Sequence, residues 1–145
     1  MATYDLTTGG NGALPVTKLN RHFVIDKTLD CSKRNLAAGD VAQLLNIPAK
    51  TTVKCLFYEV LTPEGAAVTF TAGDGADPDG FLAGINGNAA GSGVTSLALT
   101  EGTPNTVSGY SAGKYYAAAD TIDLVSGGTA TKCVIRIAAE VVTFA

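Results

Sequence analysis

The feature that most restricts this chain is its last apolar stretch, Thr131–Phe144, which reads TKCVIRIAAEVVTF. Cys133, Ile135, Ile137, Ala139 and Val141 alternate there with Lys132, Val134, Arg136, Ala138 and Glu140. A period of two is the signature of a strand, because successive side chains leave opposite faces of a sheet. A helix would mix the two sets on one side. The spacing predicts a half-buried strand over 131–144, and its apolar face needs a second layer to cover it.

The same reading extends along the chain. Thr51–Thr62 (TTVKCLFYEVLT) carries Val53, Cys55 and Phe57 on one face and Leu56, Tyr58 and Val60 on the other. Both faces are apolar, so a central strand buried on both sides is expected. Pro63-Glu64-Gly65 then reads as a turn, and 66–72, with Val68, Phe70 and Ala72 on one face, as the return strand of a hairpin. Phe23–Asp30, Val94–Thr100 and 121–125 read as further strands. Residues 40–47 fit either a strand or one helical turn, and Pro48 disfavours helix just before it. Two Gly-rich loops follow, at 73–93 and 101–113, the first anchored by Phe81, Leu82 and Ile85. Seven or eight short strands separated by turn residues, with no internal repeat, predict an all-β fold, a single jelly-roll-like β-sandwich with Gly-rich loops. Residues 1–20 (MATYDLTTGGNGALPVTKLN) have no period and read as an extended N-terminal arm; residues 21–145 form the β-sandwich domain.

A chain of 145 residues can bury roughly 70% of its unfolded surface, enough for a core without metal or disulfide. Charged residues make up 16%, against about 25% in an average soluble domain, which leaves much neutral surface for contact with other protein. The net charge of −3 is uneven. Residues 1–54 hold seven Lys/Arg and four Asp/Glu, and residues 55–145 hold three and nine. No basic residue lies between Lys54 and Lys114, so most of the chain cannot offer the clustered cations that nucleic acid requires. Lys18, Arg21, Lys27, Lys33 and Arg34 read as scattered, solvated charges. The first residues lack a basic and then apolar signal segment, and no apolar run approaches a membrane span, so no membrane association is expected. Cys31, Cys55 and Cys133 are odd in number and lack CxxC spacing; Cys55 and Cys133, inside apolar alternating runs, read as small buried hydrophobes, and reduced thiols suit synthesis in a cytoplasm.

The search for chemistry is brief. The single histidine, His22, has no nucleophile motif to serve, so no catalytic residue, and no enzyme activity, is expected. Asp74, Asp77 and Asp79 in GDGADPDG are dense enough to consider Ca²⁺, but the spacing departs from the EF-hand loop. A solvated turn is the preferred reading, with no metal and no cofactor. Tyr110, Tyr115 and Tyr116 cluster beside Lys114 and fit either an exposed contact surface or a plug at the sandwich end. Together with Tyr4, Leu6, Leu14, Val16 and Phe81, they are the candidate interface residues.

Four stretches, taken in order, resemble a family of small structural proteins of tailed bacteriophages. They are LLNIPAKTTVKCLFYEVLTPEG at 44–65, FTAGDGADPDGFLAG at 70–84, GKYYAAADTIDL at 113–124 and CVIRIAAEVV at 133–142. The set is similar to head decoration (cement) proteins and covers roughly residues 40–142. The resemblance implies a jelly-roll-like domain on the capsid surface of the virion, bound to the major capsid protein and assembled as a homo-oligomer, commonly a trimer. It carries over no catalytic residue. The second reading is a tail- or fibre-associated receptor-binding module that uses the 73–93 and 101–113 loops.

Overall fold

The structure, a computed structural model, describes residues 1–5, 22–94 and 109–144. Every element in them is a strand: β1 (Thr3–Asp5), β2 (His22–Asp30), β3 (Val41–Ile47), β4 (Thr51–Thr62), β5 (Thr69–Gly73), β6 (Leu82–Asn86), β7 (Gly91–Val94), β8 (Lys114–Tyr116), β9 (Asp120–Ser126) and β10 (Val134–Thr143). One sheet runs β1-β3-β9-β5-β6. The other runs β2-β10-β4-β7, with β8 pairing the remaining part of β4. All pairings are antiparallel except β1 on β3. The result is the expected all-β sandwich.

The core lies between the sheets. From β10 it takes Ile135, Ile137, Ala139 and Val141, the face that the alternation picked out. Leu29 and Leu56 lie beside them in the same sheet, and Phe70, Phe81, Leu82, Ile85, Ile122 and Leu124 fill the space opposite. Burying a side chain of this size stabilises by about 1.5–3 kcal/mol, so these residues are the main driving force of the fold.

One open reading is settled and two expectations change. First, residues 40–47 settle as strand β3, not a helical turn. A register shift between Gln43 and Leu45 lets the adjacent Leu44 and Leu45 both face the core.

Second, β4 is buried on one face only. Val53, Leu56, Tyr58 and Val60 point inward, whereas Phe57 and Leu61 are exposed and Cys55 is half-buried. Shifts in its pairing with β10 leave Lys54 and Leu61 as extra residues, and the one at Lys54 moves Val53 onto the same side as Leu56.

Third, the hairpin does not form. After β4 the chain crosses to the other sheet, where β5 lies between β9 and β6, while the free side of β4 is taken by β7 and β8. The 73–93 stretch is thus not one loop but carries β6 and β7. Its anchors Phe81, Leu82 and Ile85 are buried as expected. Of the expected strand Val94–Thr100, all but Val94 lies outside the described residues.

Candidate contact surface

The Asp-rich turn at the end of β5 organises one end of the sandwich. Asp74 has a fully buried side chain. Its carboxylate accepts hydrogen bonds from Lys114 Nζ (2.5 Å), Tyr116 Oη (2.7 Å) and Tyr110 Oη (3.2 Å). It also accepts from the amides of Ala76 and Asp77, at 3.0 Å each. Burial alone would raise this carboxyl, but the Lys114 and Tyr116 bonds outweigh it and hold Asp74 below the usual range. Lys114 sits over the rings of Tyr110 and Tyr116, 4.2 and 5.0 Å from their centroids. The Tyr110 ring meets Phe81 edge-on at 5.1 Å. Gly80 makes the close approach possible, because a Cβ there would collide with the Tyr110 ring.

Asp74 is therefore the hub of a buried lock, not a solvated turn. Asp79 is exposed, and Asp77 faces Asp79, which raises its carboxyl. Among the described residues no group of three His, Cys, Asp or Glu side chains is placed to hold a metal ion.

The interface candidates separate. Phe81 and Tyr116 are core residues, at 1% and 4% exposure, so neither presents a ring to a partner. Tyr110 is half-buried in the lock. Tyr115 is 54% exposed and packs edge-on against Phe144, itself 50% exposed. Tyr4 lies half-buried under the Arg34 guanidinium, 4.7 Å from the ring centroid. Leu6, Leu14 and Val16 lie outside the described residues. So does most of the arm assigned to residues 1–20, although its first residues form β1.

Exposed apolar side chains also lie on a strand face that the sequence reading had placed in the core. On the outer face of the β2-β10-β4-β7 sheet, Val94, Phe57, Ala138 and Asp26 form one row across four strands. Ser92, Glu59, Arg136 and Thr28 form the next. An open groove of about 480 Å³ lies along Phe57, Glu59, Ser92, Val94, Arg136 and Ala138. Val24, at 66% exposure, and Leu61 add to this face. Arg136 and Asp26 form a loose ion pair across this face, at 3.5 Å. The signal for this surface lay in the apolar Phe57 set of β4, but only the bulge at Lys54 reveals which set faces out.

His22 also belongs to this face. Its ring is 2.5 Å from Glu140, which is shared with Lys54 at 3.4 Å. The Cys55 thiol donates to the other oxygen of the same carboxylate. Burial and the Glu140 carboxylate push that thiol up to about 11, the opposite of what a nucleophile requires.

Glu64 went unrecognised in the Pro-Glu-Gly turn. Its buried carboxylate accepts from the amides of Thr131, Lys132 and Cys133 and from the Thr131 hydroxyl, all at 2.8–2.9 Å. Burial opposes ionisation, yet the three amides and the hydroxyl bring the group down to about 2.

No protein-family model and no curated protein matches this chain. Its fold is similar to that of a chain from the capsid of Ralstonia phage GP4, with a TM-score of 0.67 at 15% identity over 99% of both chains. It is also similar to a chain from the acidic stable capsid structure of Helicobacter pylori bacteriophage KHP30, with a TM-score of 0.59 at 6% identity over 86% of this chain and 89% of that one. At these identities the likeness is one of fold.

Proposed function

We propose that the chain is a non-enzymatic structural protein of a bacteriophage virion, and specifically a decoration protein that binds the major capsid protein on the outside of the head. The observation that carries this reading is the end-to-end likeness of fold to a chain from a phage capsid, over 99% of each chain. The exposed Val24, Phe57 and Leu61 on the outer face of the β2-β10-β4-β7 sheet and the low charge content supply surface for protein contact. Binding across subunit junctions would stabilise the assembled shell by mass action, since the protein engages that state alone. Homo-oligomerisation, with a trimer favoured, fits such a symmetric lattice. The tail-module reading needs long free loops, whereas 73–93 carries β6 and β7 and most of 101–113 lies outside the described residues.

The test is co-sedimentation of the purified protein with capsids lacking it, together with its mass by light scattering. The full chain is compared with a version lacking residues 1–20. Saturable binding to capsids is the expected outcome, and loss on truncation would assign attachment to the arm. Absence of binding by the folded full chain would refute the decoration reading.

A further inference from the structure

We infer that Cys31 and Cys133 are a latent cross-strand disulfide, two core thiols placed so that a small-molecule disulfide can join them. The pairing of β2 with β10 reaches Asp30 opposite Val134, so the next step of the register sets Cys31 opposite Cys133. The Cys31 amide donates to the Cys133 carbonyl at 2.9 Å. Directly opposed residues of antiparallel strands have Cα atoms about 4.5–5.5 Å apart, within the roughly 4.4–6.8 Å that a disulfide spans. Both residues are at 0% exposure, so both side chains enter the same core. Cys133 is held from the other side by Glu64, which accepts its amide at 2.8 Å. Cys55 is in a different layer, on the outer sheet face against Glu140, and is not a competing partner.

The same surroundings explain why the pair is reduced as free thiols. Burial pushes Cys31 up to about 12, with Cys133 and Glu64 adding to it, and burial and Glu64 push Cys133 up to about 11. The Cys133 thiol donates to the Gly87 carbonyl at 3.4 Å. Neither thiol is a ready thiolate at neutral pH, so reaction follows opening of this end of the sandwich or a rise in pH. In the first step one thiolate attacks a sulfur of the oxidant and releases one small thiol. In the second, the other thiolate attacks the resulting mixed disulfide and releases the second small thiol. The protein loses two electrons and two protons, and the oxidant gains them as two thiols. The bond would close a loop of roughly 100 residues, which restricts the unfolded chain strongly. This inference is independent of the capsid reading.

The experiment incubates the purified full chain with oxidised glutathione at pH 8.5, in buffer alone and at a guanidinium concentration just below the unfolding transition. The expected product is a mass lower by two hydrogens, a Cys31–Cys133 cross-linked peptide on non-reducing digestion, and a melting midpoint raised by about 10 °C. Cys55→Ala should retain this product, and Cys133→Ala should lose it. The inference is overturned if Cys31 and Cys133 are both recovered as free thiols, or as separate glutathione adducts, in both arms.

Discussion

Replacing Glu64 by Gln tests whether one charge pins the crossover between the sheets. The carboxylate binds three amides and a hydroxyl of residues 131–133, just before β10. In the folded chain it ionises near 2, against an ordinary value of 4.5. That difference is worth about 3 kcal/mol of stability at neutral pH. A depressed acid contributes fully above its unfolded value and loses the contribution as pH falls through the folded one. The full contribution therefore holds above about pH 5, and at pH 3 only about 1 kcal/mol remains. Gln keeps the shape and one accepting oxygen but turns an amide group toward amide donors. Urea unfolding of both proteins at pH 7 and pH 3 should show a gap of about 3 kcal/mol that narrows to about 1 kcal/mol. A gap that is the same at both pH values would refute the reasoning, because a loss of packing or turn geometry does not titrate.

Two further tests probe buried charge, with effects of opposite sign. Lys114→Met removes the cation facing the buried Asp74 and should cost about 3 kcal/mol, with Asp74→Asn added to it recovering part of the loss; a cost below about 1 kcal/mol in urea unfolding would show that the tyrosines alone satisfy Asp74. Asp123 is pushed up to about 6 by burial, against which the Thr121 hydroxyl works. A raised acid weakens the fold as pH rises from about 4 to 6, so Asp123→Asn should stabilise by about 2 kcal/mol at pH 7 and show no gain near pH 4. Thermal melts across that range decide it, and an Asn variant no more stable at pH 7 would mean that the carboxylate is adequately solvated.

The amino-acid sequence alone determined the strands that bury one clean face. In β10 the alternation is uninterrupted from Cys133 to Val141, and every inward residue it predicts is buried. β4 has the bounds that its sequence shows, Thr51–Thr62. The all-β class follows from such local patterns, because a period of two is a property of neighbouring residues. The tertiary structure decided what depends on partners. Whether β5 returns beside β4 or crosses to the other sheet is set by which strands occupy the side of β4 and by Glu64 reaching residues 131–133. The bulge at Lys54 turns Phe57 outward, and nothing in TTVKCLFYEVLT marks that position, since both of its faces are apolar. Asp74 and Glu64 look like ordinary turn residues in sequence, and only long-range donors make them buried hubs. Period and propensity act over a few residues, whereas register, bulges and buried hydrogen bonds are settled by groups far apart in the chain, which sequence spacing does not encode.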